Sequence, residues 1–375
     1  MGLLLLAVIT SFAVVLLSTP SVIRVAFLKR LFDEPGEERK LHKRITPTIG
    51  GIMIFAGTIF AFALWFPWNH ENQEQLQSWV REFQFIVATS LILFFVGIKD
   101  DIIGTAPIKK LAAQIIVALM LVLMAEIRIR SLHGLFLVQE IPLWASIFLS
   151  LFTIIVITNS FNLIDGVDGL ASGVGLIGAI CFGVLFYLGG DLMMSILAFA
   201  LAGSLAAFLV FNFSPAKIFM GDSGSLTIGL FMSILAIRYV EFKPVATAPE
   251  WLTYTTNPVV VMALLAYALT DTLRIFIYRA IKGLSPFSAD RNHLHHLLVD
   301  SGFSHAAAVV SIYVSMCIVI AVAVLTSPLD HTLGFAITGG TVVVFIFIPV
   351  LIKRRFVKKN GNQSKTRRLD PMEAA

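Results

Sequence analysis

Aspartates lie close together in three polar segments of an otherwise apolar chain. Asp100 and Asp101 are adjacent, Asp165 and Asp168 lie in Asp-Gly-Val-Asp-Gly, and Asp222 lies in Phe-Met-Gly-Asp-Ser-Gly. Adjacent carboxylates raise each other's pKa unless a metal ion or a basic side chain offsets their repulsion. Carboxylate oxygens suit Mg²⁺, which binds few protein ligands and completes its shell with water and phosphate. These segments therefore favour a Mg²⁺ site that handles phosphates.

The glycines beside these aspartates support a phosphate site. Asp-Gly pairs form tight turns because glycine tolerates a positive φ, so the chain can fold closely around a phosphate. If a helix begins near Asp222, its backbone N–H groups favour a pyrophosphate. Helix capping is the simpler interpretation, in which Asp168 caps one helix and Asp222 or Ser223 caps the next. The adjacent aspartate pair could likewise be a solvated helix end.

A fourth polar segment holds an arginine and three histidines, namely Arg291, His293, His295 and His296. A zinc site here would need a carboxylate from elsewhere, because no cysteine lies nearby. Imidazole and guanidinium groups that face phosphate or sugar oxygens fit the other segments better. We therefore expect this segment to contact the substrate, with a solvated surface cluster as the alternative.

The composition identifies the elements that must position these residues. Of 375 residues, 57% are hydrophobic and 14% are charged, whereas about a quarter of the residues in soluble proteins are charged. The apolar runs are continuous rather than alternating, so helices and not barrel strands must span the bilayer. Cys181 and Cys317 lie inside such runs and predict neither a disulfide nor a metal site. The first run lacks a cleavage signal, so we expect it to be retained.

Apolar length and loop charge predict an all-α, polytopic membrane protein. Its eleven predicted helices are 3–27, 47–66, 83–98, 111–126, 143–158, 171–188, 191–212, 224–239, 257–279, 306–326 and 332–352. Most lysines and arginines then fall on one side, which places that side and the C-terminus in the cytoplasm and the N-terminus outside. The net charge of +5 reflects this topology and predicts no nucleic-acid partner. We expect one catalytic domain over residues 1–352 and a basic, disordered tail over 353–375.

A charged pair inside the ninth predicted helix raises an alternative from a different class. Asp271 and Arg274 lie three residues apart, and such a pair can neutralise itself within a membrane helix. A secondary transporter could use Asp271 as a coupling residue. Transporters, however, place their sites near the middle of the bilayer, whereas most acidic residues here lie in predicted loops at one face. An enzyme is therefore favoured.

Together these segments resemble the polyprenyl-phosphate N-acetylhexosamine-1-phosphate transferase family, glycosyltransferase family 4. The resemblance runs from about Asp33 to His296. It rests on the aspartate pair, Asn-x-x-Asn-x-x-Asp-Gly-x-Asp-Gly, Asn-x-x-Pro-Ala followed by Phe-Met-Gly-Asp, and the histidine segment. The branch that transfers phospho-N-acetylmuramoyl-pentapeptide typically has three consecutive histidines followed by an aromatic residue and Glu. This chain has His-Leu-His-His, which is similar to the branch that transfers GlcNAc-1-phosphate.

The resemblance implies a role for each residue that matches a family motif. The implied catalytic residues are Asp100, Asp101, Asp165 and Asp222, and the implied substrate-binding residues are Lys110, Asn162, Asp168, Asn212, Phe219, Arg291, His293, His295 and His296. Asp222 would hold Mg²⁺, or Mn²⁺ in its place, against the UDP pyrophosphate. Asp100 and Asp101 would lie beside the lipid phosphate, while Asp168 and Asn212 would contact uracil or ribose.

The same resemblance implies that Phe219 packs on the uracil ring and that Lys110 meets phosphate. The substrates would be UDP-GlcNAc and undecaprenyl phosphate, and UMP would be released at a bacterial inner membrane, with a homodimer expected by analogy. The acceptor phosphate is largely ionised near neutrality, since the second pKa of a phosphate ester is about 6. Direct in-line attack is therefore expected, with an aspartyl phosphate on Asp100 as the alternative route. The alternative donors are UDP-N-acetylmuramoyl-pentapeptide and other UDP-N-acetylhexosamines.

Overall fold

The computed structural model describes residues 1–29, 32–33, 46–69, 72–283 and 294–367. Most of these residues are helical. The helices are α1 (Gly2–Lys29), α2 (Gly51–Leu64), α3 (Gln73–Ile103), α4 (Pro107–Leu119), α5 (Leu143–Ile164), α6 (Leu170–Gly189), α7 (Leu192–Asn212), α8 (Gly221–Val240), α9 (Glu250–Thr255), α10 (Pro258–Leu264), α11 (Ala266–Ile281), α12 (Leu294–Val299), α13 (His305–Thr326) and α14 (His331–Arg367).

Short elements connect or extend these helices. Two two-residue strands, β1 (Phe32–Asp33) and β2 (Thr46–Pro47), pair in antiparallel register. One turn of π-helix, Met120–Met124, continues α4, and one turn of 3₁₀-helix, Leu135–Leu137, precedes α5. The described chain is therefore a helical bundle with a minimal β-ladder.

Eight helices within the described ranges are long and apolar enough to cross a membrane. A ninth span results if α10 and α11, which are bent by 81° at their junction, are counted together. Helix α2 is apolar but has only 14 residues. The all-α membrane architecture is therefore confirmed, whereas the count of eleven spans is not. The predicted sidedness and the division into a domain and a tail stay predictions.

Two helices extend beyond their apolar segments, which corrects the predicted boundaries. The third and fifth helices were expected to end at 98 and 158, but α3 continues to Ile103 and α5 continues to Ile164. Asp100, Asp101 and Asn162 therefore lie on helices and not in loops. A helix can continue past its apolar run here because other elements of the bundle satisfy these polar side chains.

Helix α8 lies at the centre of the bundle, and nearly all of its side chains are buried. A Cβ added to Gly97 of α3 would lie 2.4 Å from the Ser223 Cα, and one added to Gly229 would lie 2.6 Å from the Thr158 Cα of α5. Small residues at these contacts let helices approach closely, as is typical of membrane bundles. The packing brings the C-terminal ends of α3 and α5 to the N-terminal end of α8.

A buried ion cluster joins α3, α7 and α8 at the opposite end of the bundle. Arg238 near the end of α8 lies 3.3 Å from Glu82 and 3.2 Å from Asp191, with both distances joining a guanidinium nitrogen to a carboxylate oxygen. Asp191 also caps α7, since its Oδ1 accepts from the Met194 N–H at 3.0 Å. Charged residues at this end therefore cross-link α3, α7 and α8.

The charged pair in α11 has the structural role that its spacing suggests. A guanidinium nitrogen of Arg274 lies 3.7 Å from Asp271 Oδ1. The same oxygen of Asp271 accepts from the Leu294 N–H at 2.9 Å, which joins the start of α12 to α11. Cys181 and Cys317 are both free thiols.

Candidate active site

The predicted aspartates meet in one polar cavity of about 360 Å³. It lies where α3 and α5 end and α8 begins. The residues that line it are Thr48, Asp100, Asp101, Asn162, Asp165, Gly166, Val167, Asp168, Asn212, Phe219, Gly221 and Asp222. All four predicted catalytic aspartates are therefore brought together, with four of the predicted substrate-binding residues beside them.

Lys110 and Asn162 hold the carboxylate of Asp222 from two sides. The Lys110 ammonium contacts Asp222 Oδ2 and also lies 3.2 Å from Asp100 Oδ2. Asn162 donates from Nδ2 to Asp222 Oδ1 at 2.9 Å and to Ser225 Oγ at 3.0 Å. These contacts tie α3, α4, α5 and α8 to one carboxylate at the cavity wall. They also mark the space between Asp100 and Asp222 as a place for a cation.

Asp101 caps α8 from a neighbouring helix. Its Oδ1 accepts from the Asp222 N–H at 2.6 Å, and its Oδ2 accepts from the Ser223 N–H at 3.1 Å. The first residue before α8 is Met220, which makes no side-chain cap. Self-capping by Asp222 or Ser223 is therefore wrong, because Asp101 takes those N–H groups and leaves the side chain of Asp222 to the cavity.

The chain before α2 closes another wall of the cavity. Gly50 and Gly51 donate their N–H groups to the carbonyls of Phe219 and Met220 at 2.9 and 2.8 Å. Gly221 follows with a φ of +70°, and a Cβ there would lie 2.2 Å from the Thr48 carbonyl oxygen. Glycine is needed at this position for both its backbone conformation and its lack of a side chain.

The loop between α5 and α6 is joined to the loop between α7 and α8. Asp168 Oδ2 accepts from the Ala216 N–H at 2.9 Å, and the residue that precedes α6 is Gly169, with a φ of +80°. Capping of α6 by Asp168 is therefore wrong. Asn212 accepts from the Gly169 N–H at 3.0 Å and donates to the Ile218 carbonyl at 3.0 Å. Both residues thus hold loops together, and their contact with uracil or ribose stays a prediction.

Burial and neighbouring charges raise the pKa of three aspartates. Burial raises the pKa of Asp101 to about 6, against the lowering effect of its hydrogen bonds. Burial and then the charge of Asp222 raise the pKa of Asp100, although Lys110 opposes them. Burial, followed by the charges of Asp222 and Asp101, raises the pKa of Asp165. Repulsion between carboxylates thus contributes to the raised pKa of Asp100 and Asp165, and a bound cation would relieve it.

The donor set fits Mg²⁺ better than a metal that needs a complete protein shell. Among the described residues, no three histidine, cysteine or acidic side chains converge to bind a metal by themselves. Mg²⁺ is commonly held by one or two carboxylates, with water and substrate phosphates completing the octahedron. Asp222 and Asp100 offer such carboxylates on either side of Lys110. The assignment of the metal to Asp222 stays a prediction.

The histidine segment is not joined to the cavity in the part of the chain that the structure describes. His295 is buried in α12 with 1% of its surface exposed, and it does not line the cavity. Arg291, His293 and the side chain of His296 lie outside the described residues. Their predicted contact with the sugar and phosphates therefore stays a prediction.

Two features of the site carry no clear signal in the sequence. Thr48 lines the cavity but was not among the predicted site residues. Tyr313 lies on α13 within an apolar run, yet its hydroxyl donates to the carbonyl of Gly169. Neither contact follows from residue spacing, because each joins segments more than a hundred residues apart.

Comparison with known proteins agrees with this geometry. The model for glycosyl transferase family 4 matches residues 83–240. A Bacillus subtilis protein named "Probable undecaprenyl-phosphate N-acetylglucosaminyl 1-phosphate transferase" is 33% identical over 312 residues, which are 83% of this chain and 81% of that protein. The chain belongs to glycosyl transferase family 4. The predicted family resemblance is confirmed.

Other relatives match more of the chain at lower identity. The undecaprenyl-phosphate alpha-N-acetylglucosaminyl 1-phosphate transferase of Yersinia pestis is 29% identical over 346 residues, which are 90% of this chain and 89% of that protein. The Escherichia coli K12 protein of the same name is 27% identical over the same length. The family match from 83 to 240 includes every residue that lines the cavity except Thr48.

Proposed function

We propose that the protein transfers GlcNAc-1-phosphate from UDP-GlcNAc to undecaprenyl phosphate, releasing UMP and forming undecaprenyl-diphosphate-GlcNAc. This product would initiate synthesis of a cell-envelope polysaccharide. The observation that carries the proposal is the convergence of five aspartates, with Lys110 between two of them, in one cavity. The printed names of relatives that cover most of the chain support this donor and acceptor. No feature of the described residues favours the pentapeptide donor.

The cavity suits a displacement at phosphorus. An oxygen of the acceptor phosphate attacks the β-phosphorus of UDP-GlcNAc, and the bond from that phosphorus to the oxygen of the α-phosphate breaks, so that UMP leaves. The acceptor oxygen needs little deprotonation, since the second pKa of a phosphate ester is about 6. The chain's main tasks are therefore to hold the two phosphates in line and to offset their charge. Lys110 does so by turning from Asp222 to phosphate.

We propose Mg²⁺ as the cofactor, with Mn²⁺ able to replace it. Asp222 would hold the ion, and Asp100 is placed to assist on the other side of Lys110. When bound, the ion supplies positive charge that offsets the phosphates in the transition state. Asp101 keeps Asp222 in place through the first N–H groups of α8.

The acceptor also needs an apolar surface for its chain. An almost wholly apolar cavity of about 490 Å³ lies between the bent pair α10–α11 and α14. A second, smaller apolar cavity extends it towards α12 and α13, and the two share Ala266, Thr270, Val342 and Ile346. We propose that the prenyl chain lies along these cavities.

Location and orientation follow from the same reaction. A polyprenyl phosphate is a membrane lipid and UDP-sugars are cytoplasmic, so the acidic cavity should open to the cytoplasmic face of a bacterial inner membrane. The excess of lysine and arginine on the predicted cytoplasmic side supports this orientation. Assembly as a homodimer stays a prediction.

The decisive experiment measures UMP release by membranes that contain the full chain. A panel of UDP-sugars, including UDP-N-acetylmuramoyl-pentapeptide, is supplied with and without undecaprenyl phosphate. We expect release from UDP-GlcNAc only when the acceptor is present, because attack is direct. A burst of UMP without acceptor would instead indicate the aspartyl-phosphate route. Preference for another donor would refute the proposed substrate.

A matched pair of variants tests the site within the same assay. Asp222→Asn should lower UMP release by at least a hundredfold, because it removes the charge that holds Lys110 and the metal. Asp300→Asn removes an exposed carboxylate that pairs with Lys353 at 2.8 Å, away from the cavity, and should retain activity. Full activity of Asp222→Asn would show that the cavity is not the active site.

A further inference from the structure

The loop between α5 and α6 supplies a third of the cavity wall. Asp165, Gly166, Val167 and Asp168 are consecutive, and all four line the cavity. Gly169 ends the loop in a left-handed conformation. The position of the two aspartates therefore depends on how firmly Gly169 and its neighbours are held.

Two anchors of this loop come from one side. Asp168 accepts from the Ala216 N–H, and Asn212 accepts from the Gly169 N–H. Both partners belong to the end of α7 and the loop that follows it. These two anchors still allow the loop to move together with the end of α7. A contact from a different helix would restrain that joint movement.

Tyr313 of α13 provides that contact. Its hydroxyl donates to the Gly169 carbonyl, which also accepts from the Gly173 N–H at 2.9 Å and from Ser172 Oγ at 3.1 Å. The ring lies in a notch at Gly173, where an added Cβ would be 1.8 Å from the tyrosine Oη. A residue larger than glycine at 173 would displace the ring, so the hydrogen bond depends on both residues.

We infer that Tyr313 is a positioning residue for the transfer reaction, holding the Asp165–Asp168 loop against the cavity from α13. No residue of α13 lines the acidic cavity, so Tyr313 acts through the loop and not on the substrate. An adjacent face of α13 lines the smaller apolar cavity through Ile312 and Met316. Tyr313 thus connects the wall of the apolar region with the acidic loop. The kinetic part of this inference rests on the proposed function.

The test replaces Tyr313 by phenylalanine, which keeps the ring in its notch and removes only the hydroxyl. Because the Gly169 carbonyl keeps two other donors, the loop should loosen and not unfold. We expect kcat/KM for UDP-GlcNAc to fall roughly tenfold, in line with the loss of one neutral hydrogen bond. The control is Tyr239→Phe, which removes another buried hydroxyl, bonded to Thr255 Oγ1 at 2.7 Å at the opposite end of the bundle. Its kcat/KM should stay unchanged.

Hydrogen exchange separates this inference from the proposed function, since it needs no substrate. In Tyr313→Phe the amides of the loop, above all that of Gly169, should exchange faster, while peptides from α8 should not change. If the loop amides exchange faster in Tyr313→Phe, Tyr313 holds the loop in position. If the wild-type chain at the same time does not use UDP-GlcNAc, the proposed function is refuted while the positioning role is supported. Unchanged exchange and unchanged kcat/KM in an active enzyme would refute the positioning role.

A double-mutant cycle distinguishes positioning from a general loss of stability. If Tyr313 acts through the loop, the effects of Tyr313→Phe and Asp168→Asn on kcat/KM should be less than multiplicative, because both loosen the same segment. Tyr239→Phe should combine with Asp168→Asn multiplicatively. Multiplicative effects for both tyrosines would overturn the inference.

Discussion

Replacement of Lys110 by methionine tests the electrostatics of the acidic cavity most directly. Methionine keeps much of the aliphatic stem but removes the ammonium that lies between Asp100 and Asp222. Side-chain exposure of all three residues is 19–21%, so these charges are only partly screened by water. The change leaves five aspartates in the cavity without the lysine that now pairs with two of them.

The expected loss of activity follows from the two contacts. A hydrogen bond to a charged group contributes about 1.5–3 kcal/mol, and in the reaction Lys110 would make such bonds to phosphate. Loss of about 3–4 kcal/mol from the transition state lowers kcat/KM by roughly a hundredfold to a thousandfold. Lys109→Met is the control, because Lys109 is exposed and adjacent, and it should keep nearly full activity.

The same variant should change metal dependence in the opposite direction. The Lys110 ammonium occupies Asp222 Oδ2, so a divalent cation must displace it and also meets its positive charge. Lys110→Met should therefore bind the cation more tightly, with half-saturation at roughly tenfold lower concentration. The assays are UMP release against Mg²⁺ concentration and direct Mn²⁺ binding by electron paramagnetic resonance. Weaker or unchanged Mn²⁺ binding, or unchanged kcat/KM, would refute this account of the site.

Three further changes test other parts of the structure. Gly221→Ala should lower UMP release more than tenfold, because the added Cβ would lie 2.2 Å from the Thr48 carbonyl oxygen at a φ of +70°. The control is Gly283→Ala, at a φ of +65° with open space around it, which should lower only the free energy of unfolding, by the backbone strain of about 1–2 kcal/mol. Equal losses of UMP release in the two variants would show that crowding at Gly221 does not matter. Burial raises the pKa of Glu82 from 4.5 to about 7. Between these pH values the folded state keeps a proton on Glu82 that the unfolded state has lost. The free energy of unfolding should therefore fall by about 3 kcal/mol as the pH rises from 4.5 to 7. Thermal unfolding in detergent should show this pH dependence in the wild type but not in Glu82→Gln. The same dependence of unfolding temperature on pH in both proteins would refute the role of Glu82. Ala266→Trp should fill the apolar cavities and raise KM for undecaprenyl phosphate roughly tenfold without changing KM for UDP-GlcNAc, whereas an unchanged acceptor KM would place the prenyl chain elsewhere.

The helix boundaries show where reasoning from hydrophobicity reaches its limit. The predicted break between the sixth and seventh helices, at 188–191, is confirmed, since Gly190 has a φ of +94° and Asp191 caps the next helix. The ends of α3 and α5 were predicted too early. An apolar run reports only contact with lipid or core. The ends of α3 and α5 continue because their polar side chains find partners across the bundle: Lys110 bonds to Asp100, the first N–H groups of α8 donate to Asp101, and Asn162 donates to Asp222.

The roles of individual polar residues show the same limit. The sequence singled out Asp168, Asn212 and Asp222 as chemically important, and all three line the cavity. It also suggested that Asp168 and Asp222 cap their own helices, which is wrong. Capping depends on which carboxylate reaches the free N–H groups, and at the start of α8 that carboxylate is Asp101, 121 positions away in the chain.

The sequence by itself determined that this is an all-α membrane protein, and it predicted Asp100, Asp101, Asp165 and Asp222 as the catalytic residues. Continuous apolar runs form helices in lipid because their backbone groups find no other partner there, and adjacent carboxylates repel each other unless a cation or a basic side chain lies near. Only the tertiary structure decided which groups these aspartates face. Lys110 reaches Asp222, and Tyr313 reaches the loop of Asp165, because helices far apart in the chain pack closely at glycines. Such packing depends on how well the surfaces of two helices fit each other, and a local residue pattern describes only one of those surfaces.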